Sequence, residues 1–412
     1  MNLYEFLSHP DVQVPFSWNR TNDFQGFLRK RLKRFVRVLS KLDDGPVADM
    51  VRSRSLGVRA LTDGISRSVH FSLEGRPDEA YALFVAAIQE VLTELRARKV
   101  VLTPGDLSLL YRVRRTTEPI LRRKDLFHIP FDQRHKVSMH RYSIPGLPCL
   151  YLSGSLYACW EEMGRPPFHE LHAAAFWVRT GESVKLLNFS ESPSRLRLSS
   201  FLKPDGTIDP QTSGLSVRAL EARIADSIVL WPLVASASVI VKHRDAPFKP
   251  EYLVPQMLLQ WVRNDEDFDG VCYFSTNVGG ASRRRHLAVC NLVFPAKFIK
   301  PSGRCEHLCR LFKMTEPYGW GLLRAVHASG GVPMDAAPFF DMEFIEGVKE
   351  EYHETEFGEV ELTLGRLATR VMDENERGDP AAGDISPSSS VVDVSCCAPR
   401  RGPEKSSLHT VR

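Results

Sequence analysis

The sequence lacks an apolar stretch long enough to cross a membrane. Its longest uncharged apolar run, residues 227–241, is only 15 residues long and contains Pro232, whereas a spanning helix needs roughly 20 apolar residues. The first residues, MNLYEFLSHPDVQVPF, contain no cationic stretch followed by an apolar run, so we expect no secretion signal. These absences predict a cytoplasmic protein that does not enter a membrane.

Two common nucleotide-binding loops are also absent. Neither a GxxxxGK[ST] loop nor a GxGxxG fingerprint occurs in the chain, which argues against P-loop and Rossmann folds. Nor does the chain have a large excess of charge of one sign, because 54 Lys and Arg stand against 50 Asp and Glu. This balance does not favour a nucleic-acid partner.

Cysteine is sparse, with eight residues in 412. This content suits buried thiols in a reducing compartment better than a disulfide framework. Cys305, His307 and Cys309 lie close together, but their one-residue gaps differ from the gaps of about two to four residues usual for paired zinc ligands. We therefore expect no metal site. Four of the cysteines lie in apolar runs: Cys149, Cys159, Cys272 and Cys290.

Residues 1–104 have mainly helical patterns and are predicted to form an accessory domain. Between residues 27 and 39, apolar side chains recur at helical spacing with Arg and Lys between them, which indicates a basic amphipathic helix. Its basic face could bind RNA, anionic lipid or an acidic partner, but a solvated face over a small helical domain is the interpretation we favour. A second helix is predicted to begin at Pro77 and to run to about residue 98.

The remaining chain divides into three parts. Residues 105–300 contain short β-like runs such as CLYLSG, AFWVRT and GVCYFST, broken by Gly, Pro and Asp, which predicts an α+β domain. Residues 301–372 form a C-terminal extension, either a subdomain or a cover packed on the core. Residues 373–412 are dominated by Pro, Ser, Gly and charge and are predicted to be a disordered tail.

The most informative segment reads as turn, strand, cap and helix. It begins at Arg141, turns at Pro145 and Gly146, and continues through a buried strand around Leu-Tyr-Leu at residues 150–152. Ser153 or Ser155 then caps a helix, and Glu162 lies about two turns into it. Glu161 is adjacent, but Glu162 lies 11 residues after Tyr151.

This order of residues resembles the RES family, which is named for an arginine, a glutamate and a serine. The 11-residue spacing fits the family's glutamate, and the serine is matched by Ser275, at the end of the buried strand around residues 270–274. Residues 251–256 (EYLVPQ) and the pair Tyr111-Arg112 also resemble family motifs. The resemblance covers roughly residues 105–300. One departure is a polar segment around residues 199–214, which we interpret as an insertion over the site.

The resemblance implies a fold similar to ADP-ribosyltransferases and cleavage of NAD+ between nicotinamide and ribose, with water or phosphate as acceptor. Arg141, Glu162 and Ser275 would be catalytic. NAD+ would be the substrate, with no other cofactor, and an antitoxin would be the partner. The sequence does not specify an oligomeric state. Substrate binding is assigned to Tyr111, Arg112 and Tyr151.

The residue types suit this chemistry. A carboxylate stabilises the positive charge that develops on ribose as the C–N bond breaks. Arg112 and Arg141 can grip phosphate oxygens or orient the ribose. Tyr151 offers an aromatic face to nicotinamide, and Ser275 a hydroxyl to the ribose or the carboxamide.

Two alternatives remain open from the sequence. The same pocket could transfer ADP-ribose to a macromolecule. The domain could instead be a non-catalytic interaction scaffold, although Arg, Tyr, Glu and Ser are all present together.

Overall fold

The computed structural model describes residues 1–20, 23–104, 109–117, 122–276, 290–329, 341–345, 348–376 and 385. It is a mixed α/β protein with about 51% helix and one mixed sheet of nine strands. Within these ranges, no helix is both long and apolar enough to cross a membrane. The predicted α+β class agrees with this mixed architecture, whereas the likeness to ADP-ribosyltransferases stays a prediction.

The N-terminal segment is helical, as its periodicity predicts. Asp23 accepts a hydrogen bond from the Gly26 N–H and begins the second helix, whose apolar face is buried and whose interleaved Arg and Lys are largely exposed. The helix predicted from Pro77 begins there, but it is interrupted at Val91, where φ is −130°. The segment contains α1 (Leu3–Ser8), α2 (Phe24–Leu39), α3 (Pro46–Ser53), α4 (Ser55–Leu73), α5 (Pro77–Gln89) and α6 (Leu92–Ala97).

Eleven strands are present in the described ranges, nine of them in the main sheet. The remaining two, β10 and β11, form a separate antiparallel pair. The eleven strands are β1 (Lys99–Leu102), β2 (Leu110–Arg115), β3 (Cys149–Ser153), β4 (Leu171–Val178), β5 (Val184–Phe189), β6 (Gly270–Phe274), β7 (Cys290–Pro295), β8 (Phe312–Met314), β9 (Tyr318–Gly319), β10 (Asp341–Ile345) and β11 (Val348–Glu351).

The main sheet has the strand order β1-β5-β6-β7-β3-β2-β4-β8, with β9 also paired to β4. Among the described strands of this sheet, β5 and β6 pair in parallel and the other pairs are antiparallel. Both β3 and β6 are antiparallel to β7, which lies between them. The C-terminal ends of β3 and β6 therefore lie beside the N-terminal end of β7.

Helices cover both faces of the sheet. The long connection from β5 to β6 carries α9 to α12, as a parallel pair requires a crossover. The helices that follow α6 are α7 (Arg123–Leu126), α8 (Leu156–Glu162), α9 (Pro193–Arg197), α10 (Val217–Val229), α11 (Trp231–Ala237), α12 (Leu253–Asn264), α13 (Glu306–Leu311), α14 (Trp320–Ser329) and α15 (Glu356–Glu376).

The N-terminal helices and the helices of this crossover share one hydrophobic core. Phe35 of α2 stacks on Trp231 of α11, with ring centroids 4.0 Å apart. Arg98, which precedes β1, forms a buried ion pair with Glu191. The predicted accessory segment is therefore packed against the central part and also contributes the edge strand β1.

Helix α15 of the C-terminal segment packs on the same face of the sheet as the N-terminal helices, over β2 and β4, whereas α13 packs on the other face. Phe357 of α15 contacts the rings of Tyr157 and Trp160 on α8, each at 5.4 Å between centroids. The helix continues to Glu376, slightly beyond the predicted start of the tail, and Ile385 is buried in a second core. The rest of the predicted disordered tail lies outside the described residues.

A buried carboxylate joins α15 to α8. Glu361 is 5% exposed, and its Oε1 accepts hydrogen bonds from the Leu156 N–H (2.6 Å) and the Tyr352 hydroxyl (2.5 Å). Burial raises the pKa of this carboxyl to about 8, although the two hydrogen bonds act in the opposite direction. Glu361 is therefore largely protonated at neutral pH.

We predict that Glu361 makes the folded protein less stable as the pH rises. Between its ordinary pKa of 4.5 and about 8, the folded state retains a proton that the unfolded chain has released, so the free energy of unfolding falls across this window. Glu361→Gln carries no titrating group, and at about pH 8 it should be more stable than wild type by about 2–4 kcal/mol. Urea unfolding of both proteins at several pH values measures the difference. Parallel pH profiles would contradict the prediction.

Candidate active site

Polar residues that are far apart in the sequence meet where β3 and β6 end and β7 begins. The register pairs Ser153 with Asn291 and Phe274 with Cys290. Ser275 follows Phe274 directly, so it lies at the same edge as Ser153 and Asn291. Both serines and the asparagine are buried.

Helix α8 carries Glu162 to this edge. The Ser155 side chain accepts a hydrogen bond from the Ala158 N–H (3.2 Å) and caps the helix, as the sequence predicts. Glu162 is its last residue and is exposed. Its Oε1 accepts hydrogen bonds from the Ser275 hydroxyl and from the Asn291 side-chain amide, both at 2.7 Å. Two side chains of neighbouring strands thus orient this carboxylate.

Asn291 is itself held in place. Its Oδ1 accepts a hydrogen bond from the Ser153 hydroxyl at 2.6 Å, which leaves its NH₂ group directed at Glu162. Sequence reasoning missed Asn291. The signal was a lone amide within the apolar run LAVCNLVF, since a buried amide needs hydrogen-bond partners.

Arg141 lies beside this group and is linked to it through the chain. Its Nη2 donates to Thr276 Oγ1 (3.0 Å), and Thr276 follows Ser275. Its Nη1 donates to the carbonyls of Ala237 (3.0 Å) and Val239 (2.9 Å) at the end of α11. These contacts use three of the five N–H donors of a guanidinium. Arg141 therefore anchors the chain after β6 to the crossover helices.

Aromatic side chains surround Arg141. Its guanidinium carbon lies 5.4 Å from the centroid of the Tyr252 ring, a distance typical of a cation–π contact. The rings of Tyr142 and Tyr273 lie 4.5 Å apart. Burial raises the pKa of Tyr252 above its ordinary value of 10, with Arg141 acting in the opposite direction and Glu162 adding to the rise. Tyr252 thus lies in the electrostatic range of both predicted catalytic groups.

Tyr151 lies next to this cluster. Its hydroxyl is hydrogen-bonded to that of Ser143 at 2.8 Å. Burial raises the pKa of Tyr151 well above 10, so its phenol stays protonated. The charge of an ionised Tyr151 would contribute to the raised pKa of Tyr273, so the two side chains lie close to each other.

Tyr111 and Arg112 make their contacts away from the Glu162 carboxylate. The Tyr111 ring is packed in the core beneath α15, where burial, followed by the charge of Glu361, raises its pKa well above 10. Arg112 Nη1 donates to the backbone carbonyl of Tyr151 at 2.8 Å, and burial lowers its pKa to about 10. Through these contacts, Arg112 stabilises β3 and Tyr111 stabilises the packing of α15 on the sheet. Direct substrate binding by either residue stays a prediction.

A narrow cleft with about 230 Å³ of empty space adjoins this cluster. Its walls include Arg141, Tyr142, Tyr273 and Thr276. This space includes open solvent, and its enclosed part is far smaller than the roughly 300–1,000 Å³ of common ligand pockets, so a dinucleotide would require the cleft to widen or to extend toward the exposed Glu162. Residues 277–289, which follow Thr276, lie outside the described residues.

We predict that Asn291→Leu lowers the free energy of unfolding by about 1–3 kcal/mol. The apolar side chain leaves the buried Ser153 hydroxyl without its acceptor and removes a donor from Glu162. Asn188→Leu on β5 is the control, because the side-chain oxygen of Asn188 accepts one hydrogen bond, from the Ser190 N–H. Denaturant unfolding should show the larger loss for Asn291. Equal losses would mean that the network around Glu162 contributes no more than the single side-chain hydrogen bond of Asn188.

The chain is similar to a curated protein of Bacillus subtilis (strain 168) that is named "Putative toxin YopC". The two are 27% identical over 369 residues, which span 88% of this chain and 80% of the relative. This alignment is much longer than residues 105–300, so the similarity extends into the flanking segments. No family model matches the chain. No solved structure matches it either.

Proposed function

We propose that this protein is a toxin-like enzyme of the RES type that degrades NAD+ by cleaving the bond between nicotinamide and ribose. The observation that carries the proposal is the arrangement of Glu162, which is exposed and accepts hydrogen bonds from Ser275 and Asn291. Arg141 is anchored one residue away from Ser275, through Thr276. Glu162 and Ser275, which are 113 positions apart in the sequence, thus meet at the ends of neighbouring strands, with Arg141 beside them.

This arrangement suits departure of nicotinamide. As the C–N bond breaks, the bonding electron pair leaves with nicotinamide and positive charge develops on the ribose. A fixed carboxylate stabilises that charge. Nicotinamide leaves as a neutral base, so the step needs no general acid. A carboxylate has about four acceptor positions, and Glu162 therefore has the capacity to accept a ribose hydroxyl as well.

Cationic and aromatic groups would hold the rest of the substrate. Arg141 supplies positive potential for the pyrophosphate or the ribose oxygens. Tyr151 and the neighbouring rings offer faces for nicotinamide. Arg112 and Tyr111 would contribute through β3 and the packing behind it. Water or phosphate would then attack the ribose carbon and take the place of nicotinamide.

The similarity to a protein named as a toxin supports a growth-arresting role. An enzyme that consumes NAD+ must be restrained in its own cell, and an antitoxin that covers the exposed Glu162 would do this. The partner is thus proposed to be a protein that blocks the cleft.

The test is incubation of the purified full-length chain with NAD+, with and without phosphate, followed by chromatography of the products. We expect free nicotinamide in amounts equal to the NAD+ lost, with ADP-ribose or its phosphate ester as the second product. NAD+ carrying a label on its adenylate part tests the alternative, because transfer would leave the label on a macromolecule. Unchanged NAD+ with folded protein would refute the proposed reaction and favour a non-catalytic interaction scaffold.

A further inference from the structure

We infer that Glu361 is a positioning residue for this site, because it fixes the first turn of the helix that ends at Glu162. The inference rests on the proposed function. Glu361 lies on α15, in the C-terminal extension, outside the part of the chain that carries the predicted catalytic residues.

The contact is made at the first residue of α8. The N–H groups of a first helical turn have no partner within the helix. Ser155 accepts from Ala158, whereas the N–H of Leu156 donates to Glu361, a residue 205 positions away. The start of α8 is therefore held by one local cap and by one acceptor from the C-terminal extension.

Because α8 is short, a displacement of its first turn also displaces Glu162. A helix of seven residues has only about two turns, so a shift of its first turn moves its last residue by a similar amount. The hydrogen bonds of Glu162 to Ser275 and Asn291 are 2.7 Å long and do not survive such a shift. A displacement of about 1 Å at a reacting group can cost about a hundredfold in rate.

The surroundings of Glu361 make its charge the one that changes near neutral pH. Tyr352, Tyr111 and Cys159 face it, and burial raises the pKa of all three groups. The pKa of Glu361 is itself raised to about 8 by burial. Its ionised form is the stronger acceptor for a helix N-terminal N–H, so the hold on α8 strengthens as the pH rises through this value.

Steady-state kinetics of the full chain with NAD+ test the inference. Glu361→Ala should lower kcat about tenfold or more, with KM changed less than about twofold, because the substrate contacts remain. Glu361→Gln keeps an acceptor oxygen and should stay within about threefold of wild type at neutral pH. The wild-type kcat should show an inflection near pH 8, and Glu361→Gln should lack it. Glu359→Gln is the matched control, since this half-exposed residue on the same helix lies near Arg324 instead.

Wild-type kcat in a folded Glu361→Ala protein would overturn the inference, as would an unchanged inflection in Glu361→Gln. Failure of wild type to cleave NAD+ would refute only the proposed function, because amide exchange of α8 reads the same contact without substrate. There we expect at least about tenfold faster exchange in Glu361→Ala than in Glu359→Gln, and equal exchange would overturn the inference. If Glu361→Ala does not fold, Glu361→Gln tests the inference instead. Loss of the inflection near pH 8 in its kcat, or a change in the pH dependence of amide exchange in α8, would support the inference, and profiles identical to those of wild type would overturn it.

Discussion

Glu162→Gln is expected to lower kcat for NAD+ cleavage about a thousandfold while the Kd for NAD+ changes only a few-fold. The amide preserves the size of the side chain and can still accept from Ser275 and Asn291, but it carries no negative charge to stabilise the developing cation. Single-turnover rates measure the chemical step, and calorimetry with the inactive protein measures binding.

Glu161→Gln is the control for this variant. Glu161 is the neighbouring carboxylate, but both of its oxygens accept from Arg165, at 3.0 and 3.1 Å. Arg165 is largely exposed, whereas Glu161 is buried. The amide of Glu161→Gln keeps an acceptor oxygen for Arg165 and does not touch the contacts of Glu162, so activity should remain within about threefold of wild type. A similar loss in both variants would indicate disruption of α8 rather than loss of a catalytic charge.

Arg141→Lys is expected to have the second largest effect, since one ammonium cannot reproduce the fork that reaches two carbonyls and a hydroxyl. Loss of these contacts leaves the carbonyls of Ala237 and Val239 without a charged donor. We expect the free energy of unfolding to fall by about 2–4 kcal/mol and kcat/KM to fall about a hundredfold. Urea unfolding and initial rates measure the two effects.

Arg134→Lys provides the comparison. Arg134 is exposed and donates from Nε to the carbonyl of Gly146 in the turn that follows Arg141. Its replacement should change the free energy of unfolding by less than about 1 kcal/mol. If Arg141→Lys is as stable and as active as Arg134→Lys, Arg141 neither anchors the chain after β6 nor acts on the substrate.

Much of the central arrangement could be predicted from the sequence, because its signals are local. A strand, a serine cap and a short helix place Glu162 at a strand end, and a second apolar strand ends at Ser275. The structure brings these two residues into contact and places Arg141 beside them. Their catalytic roles remain predictions.

Other features could not be predicted, because they depend on long-range pairing. Asn291 and Glu361 act on α8 from 129 and 205 positions away from their partners, and nothing local indicates which helix they contact. Tyr111 illustrates the opposite problem. An aromatic residue in a strand can face a pocket or a core, and only the position of α15 shows that this ring is buried in a core.

The stacking of Phe35 on Trp231 has a consequence for truncation. A chain trimmed to residues 105–300 would lose α2 and β1, which would strip Trp231 of its aromatic neighbour and turn β5 into an open sheet edge. The carbonyls that accept hydrogen bonds from Arg141 lie at the end of α11. A displacement of this helix would therefore also displace Arg141, which lines the cleft. Such a fragment is expected to misfold or aggregate rather than fold as an independent domain.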